Sequence, residues 1–233
     1  MLTKQSYIAI QQFLPHISKI TGNLQQLFNH LEQFEPNYTT ISSHISQKKI
    51  SLSSLSNEIF ISDSFKKDII QLTQCRTIIF TTGGTTFTID IYYKNESLDL
   101  FIDKLLYILS FVTQLSKHSI NDVHMKYYLL DAQRILDKDT FLDTEEVNGG
   151  ACGVNSTECS ISIWRKEEIL KVSIHELIHG LSYDYKQDNS DIITFYQQKY
   201  GITSSKMNTF EAYTEIWAEL LHCYLLSKIS NKH

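Results

Sequence analysis

His175-Glu176-Leu177-Ile178-His179 sets two imidazoles four residues apart, with a carboxylate beside the first. In a helix, positions four apart share a face, so both rings can grip one metal ion while Glu176 lies next to the open coordination position. Zinc suits these donors, because it accepts imidazole nitrogen and carboxylate oxygen in a four-coordinate shell. A catalytic zinc keeps three protein ligands and one water. The third ligand is expected in Asn208-Thr209-Phe210-Glu211-Ala212-Tyr213-Thr214-Glu215-Ile216-Trp217-Ala218-Glu219, at Glu211. Glu215, four residues on and sharing the face of Glu211, is expected to orient a metal-bound histidine through the second nitrogen of its ring. The chemistry these residues suit is hydrolysis by a metal-activated water with Glu176 as general base.

H-E-x-x-H alone is only moderately specific, so the elements that must position it decide its meaning. Ile169, Leu170, Val172, Leu177, Ile178 and Leu181 make an apolar helix, which does not readily bury His-Glu-His without a partner. Gly180 directly after the second histidine allows another element to pack close. Arg165 to Glu168 start this helix, with Glu167 and Glu168 at its positive N-terminal end. The competing reading is a core helix with two surface histidines and a solvated acidic face at 211 and 215. Phe210, Tyr213, Ile216, Trp217, Leu220 and Leu221 weaken it by leaving little of the second helix for solvent. Asn208 or Thr209 caps that helix. A helix over 191–200, ended by Gly201, lies between the two and must let the chain fold back.

On these residues the chain resembles the gluzincins, zinc metallopeptidases that add a downstream glutamate to the two motif histidines. Glu211-Ala212-Tyr213-Thr214-Glu215-Ile216-Trp217 is similar to the E-A-I-S-D-I-F run of thermolysin-type members and the E-F-F-A-E-A-F run of the anthrax lethal factor type. His179-Gly180-Leu181-Ser182-Tyr183-Asp184-Tyr185 looks like their H-A-V-x-D-Y run, with Asp184 one residue late, so no role is carried to it. The likeness spans about 160–225. It implies an α+β, zincin-like fold and a single Zn2+ held by His175, His179 and Glu211. It also implies Glu215 behind a ligand histidine and a peptide or protein substrate. Such sites use a histidine or tyrosine to stabilise the oxyanion. Too little sequence follows Glu211 for the histidine, and Ser204 occupies the lethal-factor tyrosine position, so Tyr200, Tyr183, Tyr185 and Tyr213 are the candidates, with Tyr200 and Tyr213 foremost. The family also implies a sheet-edge strand beside the cleft. Ser160-Ile161-Ser162-Ile163-Trp164, with the glycine loop over 147–155, is expected to pair with extended substrate. The metzincin pattern fails, since Ser182 and Tyr185 stand where glycine and histidine are required. Two other readings stay open: a zinc-containing binding module without catalysis, and a regulatory protease narrowed to one protein target.

Composition bounds these readings. A net charge of -5 argues against binding to nucleic acid through phosphates. The apolar stretch over 98–115 contains Asp99, Asp103 and Lys104, and so predicts a buried helix rather than a membrane span. No apolar leader follows Met1, which predicts an intracellular, cytoplasmic protein with reduced thiols; Cys152 and Cys159 would pair only if the chain were exported. Only 2 Pro and 8 Gly occur, a bias that fits an AT-rich genome such as that of a large DNA virus. Cleavage preference, endo- or exopeptidase action and oligomeric state are left open.

The expected organisation is a helical extension with a Ser-rich linker over 1–70 and a catalytic domain over 71–233. Helical periodicity covers 5–20 and 23–34, and 39–57 reads as a polar loop. Two β-branched runs, 76–82 and 85–93, flank Gly83-Gly84 and predict a hairpin. A helix over 97–116 and a strand over 124–130 follow. The glycine loop over 147–155 lacks the lysine of a phosphate cradle.

Overall fold

The computed structural model describes residues 22–115, 120–133, 147–154, 158–184, 190–204 and 208–230. The helix expected over 5–20 lies outside them. The chain divides into two compact units, Met1–Glu35 and Pro36–His233. The described part of the first holds helix α1, Gly22–Gln33, with Gln25 donating to Asn29 at 2.9 Å along one face.

The second unit is α+β. Its six-stranded mixed sheet comprises β1 (Thr39–Gln47), β2 (Gln74–Thr82), β3 (Thr85–Tyr93), β4 (Asp122–Tyr128), β5 (Gly150–Val154) and β6 (Glu158–Ile163), in the order β1-β2-β3-β4-β6-β5. The β2–β3 hairpin turns through Gly83 and Gly84, both at positive φ, which glycine adopts without steric cost. Strands β3, β4 and β6 run parallel, and both edge strands are antiparallel to their neighbours. Parallel neighbours need a crossover. Helix α3, Asp99–Leu115, links β3 to β4 and buries Ile102, Leu105, Ile108, Leu109 and Phe111. Helix α2 is Asp63–Ile69, α4 Ile169–Gly180, α5 Ser190–Tyr200 and α6 Thr209–Ser230. No helix of the described residues is long and apolar enough to cross a membrane.

Strand alternation assigns the faces. Val123, Met125 and Tyr127 of β4 look toward α3 and α4, where the Tyr127 hydroxyl meets Ser173 Oγ at 2.9 Å. Tyr128 looks the other way, into a second core with Leu55, Ile61, Ile69, Leu72, Tyr92 and Trp164.

Three expectations need correction. The supposed linker over 39–57 holds β1, a nine-residue edge strand, and a 3-10 turn at Leu52–Leu55. Its Ser and Thr side chains are mostly exposed, so composition reads as loop, whereas backbone pairing to the apolar β2 makes it a strand. Leu55, Ile61, Ile69 and Leu72 belong to the core of the second unit, so the division falls after Glu35 and not after residue 70. Finally, Ser160, Ile161, Ser162 and Ile163 do not form the sheet edge. They lie in β6, bonded to β4 on one side and β5 on the other, and Trp164 is fully buried behind them. The edge is β5, formed from the glycine-rich segment.

Candidate metal centre

Helix α4 buries Ile169, Val172, Ser173, Ile174, Leu177 and Ile178. Helix α6 packs against it. The buried residues in the first half of α6 are Thr214 and Ala218, and small residues there let Glu211 and Glu215 come close to the histidines.

The ligand geometry follows from this packing. His175 Nε2 and His179 Nε2 are 3.1 Å apart. Glu211 Oε2 lies 3.4 Å from the first and 3.3 Å from the second. Ligands about 2.0–2.1 Å from a tetrahedral zinc stand about 3.3–3.4 Å from one another. The three atoms thus occupy one face of a tetrahedron of the right size, as a three-residue group able to hold a metal ion.

Each imidazole is held from behind. His175 Nδ1 donates to Glu215 Oε2 at 2.9 Å, and His179 Nδ1 to Asp184 Oδ2 at 2.8 Å. With the protons on Nδ1, both Nε2 lone pairs face the centre, as metal ligation requires. Three electron-rich atoms at this spacing repel one another without a cation. In the metal-free chain a proton takes that role. Burial pulls the His179 imidazolium down, but the carboxylates of Glu211 and Asp184 outweigh it and push its pKa up to about 9. The neighbouring imidazoles of His175 and His179 hold Glu211 down at about 2.

Glu176 faces the same space but is buried. Burial raises its pKa to about 7, against the pull of the two histidines. A carboxylate poised near neutrality both takes and returns a proton. Gly150 of β5 lies directly over it. A Cβ there would come within 2.9 Å of Glu176 Oε1 and 2.6 Å of Val172 Cγ1, so only glycine lets the edge strand approach this carboxyl.

A cavity of about 630 Å³ opens over the group, lined by His175, Glu176, His179 and Glu211 with Asn148, Ala151, Cys152, Phe60 and Phe210 among its walls. A second, of about 390 Å³, brings in Lys171 and Glu215. Tyr200 and Tyr213 line neither. Tyr200 sits on α5, which buries no residue, and Tyr213 turns toward Trp217. Tyr183 donates to the Val112 carbonyl, and residue 185 lies outside the described residues. The neutral polar residues that line the larger cavity are Asn148 and Asn208.

Sequence reasoning missed four contributors. Asp184 is hidden by its register, one residue off the family pattern. Lys171 lies four residues before His175 on the same helical face, and its Nζ holds Glu215 Oε1 at 2.6 Å and approaches Glu219 at 3.9 Å. That i,i+4 spacing to His175 was the available signal. Phe60 comes from the segment read as an extension. Arg165, fully buried, donates to the Asn148 and Ala132 carbonyls and anchors the approach to β5.

Comparison of the chain with protein-family models, with curated proteins and with solved structures finds no match in any of the three.

Proposed function

We propose that this chain is a zinc-dependent peptidase of zincin-like architecture, with His175, His179 and Glu211 as metal ligands and Glu176 as general base. The observation that carries the reading is the convergence of three ligand atoms at 3.1, 3.3 and 3.4 Å, beside the buried carboxyl of Glu176. The donor set of two imidazoles and one carboxylate, each imidazole backed by a carboxylate, fits zinc.

Bound there, zinc supplies Lewis acidity, polarising a carbonyl and lowering the pKa of a water to about 7. The residues of the chain do the rest. Glu176 accepts the proton of the attacking water and then delivers it to the leaving amine. Its burial under Gly150 keeps that proton from bulk solvent. Glu215 and Asp184 fix the two rings, so their nitrogens stay aimed while charge develops. Strand β5, which pairs on one side only among the described residues, suits an extended peptide laid along it as a further strand. Glu176 also favours catalysis over a binding module, since passive metal retention gains nothing from a buried carboxyl beside the ligand group that is not itself a ligand.

Metal analysis tests the assignment. The purified chain is expected to carry one zinc, Glu211→Ala to lose it, and a mixed peptide library to be cleaved only by the loaded wild type. Full zinc retention by Glu211→Ala removes the ligand set on which the peptidase reading stands.

A further inference from the structure

We propose that Cys152 and Cys159 form a reversible dithiol–disulfide site in the wall of the metal cavity. In it, Cys152 meets the oxidant and Cys159 resolves the adduct. The two Sγ atoms are 3.5 Å apart. Neither cysteine is in a disulfide. In the β5–β6 pairing, Cys152 stands opposite Ile161 and Cys159 opposite Val154, so the two lie on one face at diagonal positions. They differ in access. Cys152 lines the 630 Å³ cavity, whereas Cys159 is fully buried beneath it. A reachable thiol backed by a buried second one is the arrangement in which oxidation ends in an internal disulfide and stays reversible.

The chemistry balances with a small disulfide such as oxidised glutathione as oxidant. The Cys152 thiolate attacks one glutathione sulfur, breaks the glutathione disulfide and releases one reduced glutathione. The Cys159 thiol then loses its proton, attacks the Cys152 sulfur and expels the second reduced glutathione. Two electrons pass from the cysteine pair to the oxidant, and both cysteine protons leave with the released thiols.

The bond has a structural consequence. Diagonal neighbours in an antiparallel pair have Cα atoms about 7–8 Å apart, while disulfides usually span about 4.4–6.8 Å, and the sulfurs must close to about 2.05 Å. One strand therefore shifts. Strand β6 is bonded on both sides, and Cys159 is wedged against α4, where a Cβ on Gly180 would come within 2.6 Å of its Sγ. Among the described residues strand β5 is bonded on one side only, so it is the strand that moves. Two residues back along β5, Gly150 touches Glu176. Oxidation at Cys152 thus displaces the strand that covers the base, and the strain keeps the bond easily reduced. Only this coupling to turnover rests on the peptidase reading; the disulfide itself does not.

The test uses the zinc-loaded full chain treated with oxidised glutathione, followed by mass mapping and a hydrolysis assay. The expected product lacks two hydrogens in the 152–159 peptide and hydrolyses about tenfold more slowly, since displacements near 1 Å at a reacting centre cost up to about a hundredfold. Dithiothreitol restores both. Cys159→Ser is expected to retain glutathione on Cys152, because no thiol is left to expel it. If the 152–159 peptide stays reduced while exposed Cys223 is modified, the proposal is overturned. A mapped disulfide with undiminished hydrolysis overturns the coupling. A reduced chain that hydrolyses nothing overturns the peptidase reading, and the mass result still decides the cysteine pair.

Discussion

The two histidines do the same work from opposite surroundings. The partner of His175, Glu215, reaches across from α6 with its side chain 44% exposed, and the Lys171 ammonium pins its second oxygen. Burial raises the Glu215 pKa, yet Lys171 and His175 together hold it below the ordinary carboxylate value. The partner of His179, Asp184, comes from the turn just after α4 and is only 3% exposed. Its other oxygen finds no hydrogen-bond partner among the described residues. An exposed carboxylate swings into water unless a cation holds it; a buried one is held by its packing. The difference teaches that one ring is aimed by charge and the other by burial, and the two supports should fail differently.

The largest expected effect leaves both supports alone. Glu176→Gln should cut turnover by about 10²–10⁴-fold with zinc content unchanged, measured by peptide hydrolysis beside metal analysis. Full activity in that variant ends the general-base role. Next, Asp184→Ala and Glu215→Ala set the two supports against each other. Losing a carboxylate behind a ligand histidine weakens metal binding by about 10–100-fold. Asp184→Ala should fall at the upper end, because its carboxylate is buried where water does not readily replace it, and Glu215→Ala at the lower end, because water reaches that half-exposed position. Competition with a chromophoric chelator measures both, and the reverse order would break the comparison.

A smaller effect is carried by pH. The folded pKa of His179, about 9, lies above its ordinary 6.5. Its contribution to the metal-free fold is therefore complete below about 6.5 and is lost as pH rises toward 9. Glu176, raised from 4.5 to about 7, acts in the same direction, disfavouring the fold increasingly between those values. Glu211, lowered from 4.5 to about 2, stabilises above 4.5 and loses that contribution as pH falls toward 2. Thermal melts of the metal-free chain should fall between pH 6.5 and 9, and zinc should remove the His179 part of that slope by displacing its proton. A metal-free melt that rises over this window contradicts the His179–Glu211 pairing. The smallest effect should come from Lys171. Lys171→Met should weaken zinc binding by less than about tenfold, and Lys171→Arg should restore it. The visible spectrum of the cobalt-substituted protein reports whether the ring at 175 has turned.

Much of this centre was legible because helical spacing is local. The four-residue intervals in 175–179 and 211–215 place their side chains before any tertiary fact is known, and the two motifs then meet as expected. The hairpin at Gly83-Gly84 was legible for the same reason. What failed was decided by partners distant in sequence. Strand β1 has almost no apolar alternation of its own, since both its faces are largely open, and it exists through β2. The 160–163 alternation marks a strand correctly, but an alternating strand inside a sheet reads like one at its edge. The glycine segment that takes the edge looks like a loop because it must yield space to Glu176. Tyr200 and Tyr213 line neither of the two cavities, because aromatic type does not tell which side of a helix meets a cavity.

The hold of α6 on the rest of the unit has one more consequence. Its buried residues are Thr214, Ala218, Leu225 and Ile229, while Ile216 and Leu220 face outward, so near Glu211 little apolar surface secures it. A cation shared by 179 and 211 acts as a removable staple across that span, and its binding energy becomes stability of the loop it closes. Chelation should therefore unfasten a specific helix, leaving a cut-prone flap where the cleft had been.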